Sequence, residues 1–165
     1  CDYARKGWID ALAPRLATVA VRPSPPGAGA SAVFSTIVSE PMRGARANVP
    51  VGLDVRHWLA SPGVAVAQLL HAATMDTRML GNRRALTMPG VSASVGELVA
   101  GLARIGGAAA PERLSFDIDL ALDAMFRGGP ACFDTHRALR LGFPADANLD
   151  AILRAYVDET RGATP

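Results

Sequence analysis

Arg22 stands where a charged side chain can do chemistry. It closes the alternating apolar segment Arg15-Leu-Ala-Thr-Val-Ala-Val-Arg22 and is followed at once by Pro23 and a proline- and glycine-rich loop through Gly29. A guanidinium at a strand end presents a planar fork that grips a carboxylate or a phosphate through paired hydrogen bonds. In the same place it can equally serve as a structural arginine paired to a nearby carboxylate. Apolar strands that stop at such loops commonly deliver the loop to a ligand crevice. Ala30 and Ser31 then open a helix, whose free N–H groups favour anionic or hydroxylated ligands; a plain N-cap is the other role open to Ser31.

Other chemical signatures end quickly. Gly90-Val-Ser-Ala-Ser94 lacks the final glycine of a nucleophile elbow. Gly27-Ala-Gly-Ala-Ser31 lacks the third glycine of a dinucleotide loop. No spacing of His, Cys and carboxylates has the pattern of a metal site, so no metal is expected. His57 alternates to the side of its strand opposite Arg56, as a partner or surface residue. His71 lies in an apolar helical stripe and reads as hydrogen-bonded and structural. His136 falls on a polar helix face and reads as exposed, and Trp58 reads as core.

Composition narrows the partners. The chain has 165 residues, half of them apolar and 19% charged, which excludes a disordered tail and allows one respectable core. A formal net charge of +2 with scattered arginines argues against nucleic acid, which wants a basic stripe. The weakly polar run from Val64 to Met75 is too short to cross a bilayer and is interrupted by Gln68 and His71. No membrane association is expected, and Cys1 and Cys132 fit a reducing, cytoplasmic setting.

The elements that must position these residues follow from periodicity. Residues 1–8 read as a helix end closed by Gly7. Pro14 to Arg22 reads as one strand covered on both sides. Phe34, Ile37, Val38 and Met42 form a helical stripe terminated by Pro41 and Gly44. Extended pieces follow near Val49–Val51 and Val55–Ala60. Ser61-Pro62 then starts a helix carrying Val66, Leu69, Leu70 and Ala73. Arg84–Met88 reads as a strand. Ser94-Val-Gly-Glu97 is a capping box opening a helix with Val95, Leu98, Val99, Leu102 and Ile105 inward. A strand near Leu114–Ile118 and helices around 119–127 and 133–141 come next. The last helix carries Leu149, Ile152, Leu153, Tyr156 and Val157 on one side. The class is α/β, with helices packed on a small sheet.

Several short motifs occur in a familiar order. They run Asp2-Tyr-Ala-Arg-Lys-Gly-Trp8, Arg15-Leu-Ala-Thr18, Val21-Arg-Pro23, Ala30-Ser31, Phe34-Ser35 and Glu40-Pro41. Arg56-His-Trp58, Ser61-Pro62, Ala65-Val66, Leu70-His71-Ala72, Met88-Pro-Gly90, Ser94-Val-Gly-Glu97 and Leu141-Gly-Phe143 continue the series. In this order and spacing the chain, from Cys1 to about Val157, resembles the C-terminal half of an extended short-chain dehydrogenase/reductase of the D-erythronate dehydrogenase-like group, whose members often carry the label nucleoside-diphosphate-sugar epimerase.

The resemblance implies the C-terminal part of an NAD-binding Rossmann-type protein with a small α/β substrate domain, the N-terminal half of the Rossmann domain lying outside the chain. Residues 1–30 would be the last part of the cofactor domain. Residues 31–165 would be mainly the substrate domain, with 54–75 packing back on the Rossmann part. It implies NAD as cofactor in the intact protein, hydride transfer on a sugar acid or nucleotide sugar, and a homodimer for the intact protein. Leu16, Ala17 and Thr18 would line the cofactor, with Thr18 also facing substrate; Ala17 stands where the family pattern favours proline. Arg56 would hold the substrate's anionic group, joined by Arg22 and Ser31.

The family's catalytic Tyr-x-x-x-Lys is expected upstream, because Tyr3 is followed by Gly7 and Tyr156 by Thr160 at the lysine position. Two expectations follow. One is a fragment of an NAD-dependent dehydrogenase, or of an epimerase, inactive alone. The other is a non-catalytic module marked by an exposed apolar face around Leu16, Val19, Val21 and the Ala65–Leu70 helix.

Overall fold

The computed structural model describes residues 2–22 and 29–162. The segment 23–28 of the proline- and glycine-rich loop, Cys1 and residues 163–165 lie outside the described residues.

The first helix, α1 (Asp2–Arg5), ends in a turn closed by Gly7 at φ 73°, a left-handed conformation that glycine adopts without steric cost. The expected strand from Pro14 to Arg22 is two short strands, β1 (Ala13–Arg15) and β2 (Thr18–Val19). They belong to different sheets. β1 pairs in parallel with β5 (Ala85–Thr87), whereas β2 is the edge strand of a three-stranded sheet and pairs in parallel with Leu59 and Ala60 of its middle strand. Leu16 and Ala17 form the crossing between the two. The segment is therefore not covered on both sides: Leu16 is 41% exposed, while Ala17, Ala20 and Val21 are buried.

The three-stranded sheet runs β2, β4 (Arg56–Ala60), β6 (Val91–Ser94), with β4 and β6 antiparallel in the register Arg56↔Ser94 and Trp58↔Ser92. Gly90 makes the turn into β6 possible. A Cβ there would lie 2.7 Å from the Leu59 carbonyl oxygen and 2.8 Å from the Trp58 indole nitrogen. A third pair, β3 (Ala47–Asn48) with β7 (Leu114–Ser115), is shorter than the expected extended pieces at 49–51 and 114–118. Asn48 ends it, because its side-chain amide donates to the Asp117 carbonyl and accepts the Asp117 N–H, taking the place of the next backbone rung.

Helix α2 (Val33–Met42) runs through Pro41 by one residue before Gly44 turns the chain. Its Phe34, Ile37 and Val38 meet Leu98 and Leu102 of α4 (Val95–Gly106) in one core with Ile152, Leu153 and Tyr156 of α7 (Leu149–Gly162). Each such large apolar side chain contributes on the order of 2 kcal/mol by leaving water. The capping box opens α4 as expected: Ser94 Oγ accepts the Glu97 N–H and Glu97 accepts the Ser94 N–H at 2.6 Å. Helix α5 (Leu120–Arg127) is capped by Asp119. Helix α6 (His136–Arg140) begins three residues later than expected, after Asp134 accepts the His136 N–H.

Helix α3 (Pro62–Thr74) departs most from expectation. Ser61 caps it, with Asp146 accepting both the Ser61 N–H and hydroxyl, at 2.8 and 2.7 Å. Its inward residues are Ala65 and Gln68, not the apolar stripe. The Gln68 amide donates to the carbonyls of Pro89 and Pro144, both at 2.9 Å. These bonds turn Gln68 inward, and Val66, Leu69, Leu70 and Ala73 face outward; Leu70 is 63% exposed.

Candidate functional site

Thr18 opens β2 opposite Leu59 of β4, which brings its side chain to the face that also carries His57. Thr18 Oγ1 and His57 Nε2 lie 2.8 Å apart. The imidazole is sandwiched with unusual definition. It stacks on Phe34 with centroids 4.4 Å apart and planes 2° from parallel, and it meets the edge of Phe126 at 5.2 Å. Phe126 in turn packs edge-on against Phe34 at 5.0 Å. Three elements, α2, β4 and α5, thus hold one ring in a single orientation.

That setting decides the charge on His57. Burial disfavours the imidazolium and holds the pKa below its ordinary value. Nδ1 is buried without a hydrogen-bond partner among the described residues. A proton on that nitrogen would be an unsatisfied buried donor. The neutral form with the proton on Nε2 is therefore favoured, donating to Thr18 Oγ1. The Thr18 hydroxyl keeps its own proton to donate outward.

Arg22 and Ser31 flank this cluster along the chain. The Arg22 N–H donates to the buried Ser35 hydroxyl of α2 at 3.3 Å, which ties the end of the strand segment to the helix. Ser31 lies inside a 3-10 turn, Ala30–Ala32, whose cap is Gly29. It is not the N-cap; Ala32 precedes α2, and no side-chain cap forms there.

Arg56 projects from the other face of β4. Its guanidinium donates to the Ser92 carbonyl at 2.9 Å and to the Ser92 hydroxyl at 3.3 Å, and it pairs with Glu97 at 3.2 Å. The Ser94 N–H, then the charge of Arg56, holds the Glu97 carboxyl below its usual range. Successive residues of a strand alternate faces, so Arg56 and Trp58 point away from His57 and Leu59. Thr18 and Arg56 are thus not brought together. Thr18, Leu16 and Ala17 share one short stretch, in which Ala17 packs in a small cluster with Trp58 and Ala60.

The remaining histidines behave as expected. His71 Nε2 meets the Leu141 carbonyl at 2.8 Å and the ring packs edge-on to Phe143. His136 is exposed beside Asp134. No group of three His, Cys, Asp or Glu residues suited to a metal ion occurs among the described residues.

Comparison with known proteins places this geometry. No family model matches the chain. Over 158 residues it is 37% identical to D-erythronate dehydrogenase of Cupriavidus necator, a match covering 96% of the chain and 49% of that protein. The D-erythronate dehydrogenase of Haemophilus influenzae is 32% identical over 157 residues, covering 95% of the chain and 50% of the relative. The chain spans about half the length of the curated relatives it matches. A crystal structure of a nucleoside-diphosphate-sugar epimerase from Agrobacterium tumefaciens superposes with a TM-score of 0.92 at 37% identity, over 99% of this chain and 48% of that one.

In sequence and fold the chain matches the C-terminal half of D-erythronate dehydrogenase-like extended short-chain dehydrogenase/reductases.

L-threonine dehydrogenase from Phytophthora infestans shares the fold at 16% identity, with a TM-score of 0.81. The expected α/β class holds. The pairing of β1 with β5 and of β2 with β4 joins residues before position 30 to residues after it.

Sequence reasoning missed the His57 cluster. It set His57 on the side opposite Arg56 but did not see that this side carries Thr18. Phe126, far along the chain in α5, had no local signal at all.

Proposed function

We propose that the chain is the substrate-side half of an NAD-dependent oxidoreductase that removes hydride from a sugar acid of the D-erythronate type. The observation that carries this reading is the match over nearly the whole chain to two D-erythronate dehydrogenases. The Thr18–His57 pair supports it, because a hydroxyl held by a neutral imidazole is a fixed donor for a polyol or carboxylate oxygen.

NAD, when bound, supplies the hydride acceptor. The residues present fit a flat, partly apolar ring: Leu16 is exposed at the crossing between two sheets, beside the buried small residue Ala17 and the hydroxyl of Thr18. Leu16, Ala17 and Thr18 would line the cofactor, and Thr18 would orient the substrate. Arg22 and Ser31 would complete the substrate side. Arg56 faces the opposite side of β4, engaged by Ser92 and Glu97, and takes no part in holding the substrate that Thr18 orients. Homodimerisation and a cytoplasmic setting belong to the same reading of the intact protein.

The acid–base pair of this chemistry is not supplied by the chain. Its one lysine, Lys6, is paired with Asp2 and lies 4.7 Å over the Trp8 ring. Tyr156 is buried in the core on α7, where burial pushes its phenol up. We therefore expect no turnover from the chain alone. Incubation with NAD and D-erythronate tests this directly: NADH formation proportional to the concentration of the chain would refute it.

A further inference from the structure

A cleft whose lining includes neither Thr18 nor His57 lies between the β1–β5 pair and the start of α6. It encloses about 450 Å³, and four arginines line it: Arg15, Arg83, Arg84 and Arg137. Asp134 is the one carboxylate among its lining residues, and it is engaged by His136 at 2.8 Å. Four guanidiniums stand against that carboxylate and against Asp10, which pairs with Arg84 from outside the cleft, leaving a local charge of +2.

Two of the arginines, Arg15 and Arg137, are held in place by neutral acceptors alone. Arg15 Nη2 donates to Thr87 Oγ1 at 2.9 Å. Arg137 donates to the Leu80 and Arg83 carbonyls at 2.8 and 2.9 Å, through two different nitrogens. Arg84 donates to the Gly81 carbonyl and pairs with Asp10, which does not line the cleft. Arg15, Arg83 and Arg137 have no salt bridge among the described residues. Like charges gathered this way repel one another, and an anion between them removes that repulsion. Bonds to carbonyls and a hydroxyl orient the forks while leaving other N–H groups for a ligand.

We propose that this cleft binds a small phosphate-bearing molecule. The guanidiniums take the phosphate oxygens, a geometry that suits their paired N–H donors. Asn82, Thr87 and Thr135 offer polar groups for hydroxyls on the rest of the ligand, and Leu86 and Ala138 give an apolar wall. The volume exceeds what a bare phosphate fills, which favours a phosphorylated polyol or sugar.

Calorimetric titration of the chain with inorganic phosphate and with pyrophosphate, at low ionic strength, tests the proposal. Saturable one-to-one binding is expected, weakening as salt is raised. Arg83 is exposed and its side chain makes no hydrogen bond or ion pair among the described residues, so Arg83→Gln should leave the melting temperature unchanged while weakening binding about tenfold, the equivalent of one charge-assisted hydrogen bond. Arg15→Gln should weaken it by a similar factor. Absence of saturable binding to either probe overturns the proposal. So does an affinity unchanged in Arg83→Gln and Arg15→Gln, or sulfate bound as tightly as phosphate with neither variant affecting it.

Discussion

Thr18 and His57 are 39 positions apart in the chain, yet the Thr18 hydroxyl and the His57 Nε2 meet at 2.8 Å across neighbouring parallel strands. The contact joins the stretch that would meet a cofactor to a ring fixed by Phe34 and Phe126. Thr18→Val should leave Nε2 unpaired and cost about 1 kcal/mol of stability. His57→Phe keeps the aromatic shape and loses the bond. A double-mutant cycle by urea unfolding should give a coupling of about 1 kcal/mol; additive effects would show that the two side chains act independently.

Burial holds the His57 pKa below its ordinary value, and the sign of the consequence is fixed. As pH falls below about 6.5, the unfolded chain takes up the proton before the folded one does, so stability declines. The decline levels off once pH passes beneath the lowered folded value. Unfolding measured between neutral and mildly acidic pH should show this slope in the native chain. His57→Phe should flatten it, and a slope unchanged by that substitution would assign it to other groups.

Asp54 sits at the opposite extreme of exposure. Arg127 donates to both of its carboxylate oxygens, at 2.6 and 2.8 Å, and also to Asp123 at 2.6 Å. The Arg127 guanidinium lowers the Asp54 pKa to about 2. A depressed carboxylate pKa contributes stability above the unfolded value, and that contribution is lost as pH falls toward about 2. Carboxyl chemical shifts followed through acid titration should place Asp54 near that value. Arg127→Gln should return it toward the ordinary aspartate range.

Gly90 is required by close approach and not by its backbone angles. Gly90→Ala drives a methyl into the Leu59 carbonyl oxygen and the Trp58 ring, both on buried residues. Overpacking of this kind costs roughly 1–3 kcal/mol. Denaturant unfolding should show a lower midpoint at unchanged slope.

The outward stripe of α3 predicts association. Val66, Leu69, Leu70 and Ala73 recur at helical spacing on the exposed side. Leu16 adds to the exposed apolar surface, Val19 is half-buried, and Val21 is fully buried and takes no part. Sedimentation of the isolated chain should therefore show concentration-dependent self-association. Leu69→Lys with Leu70→Lys should shift it toward monomer without lowering the melting temperature.

How much of this was legible in the sequence depended on whether the signal was local. The capping box at Ser94 and Glu97, the Ser61 cap and the burial of Ile152, Leu153 and Tyr156 all follow from periodicity and hydrogen-bonding chemistry within a few residues. The break at Leu16–Ala17 did not, because an alternating apolar segment looks the same whether one sheet or two receive it. Helix α3 departs from its periodicity for a related reason. Its stripe has the right spacing for a core face, but Gln68 finds two carbonyls inside and turns the helix the other way. The site showed the same limit: alternation separated His57 from Arg56, while the partners Thr18, Phe34 and Phe126 depend on tertiary pairing.

The most direct test of the dehydrogenase reading is reconstitution. The chain, fused behind the half of the Cupriavidus necator relative that it does not cover, should reduce NAD with D-erythronate, while the chain alone should not. Thr18→Val in the fused protein should lower turnover. A folded fusion that binds NAD but never oxidises D-erythronate, or turnover by the chain alone, would contradict the account.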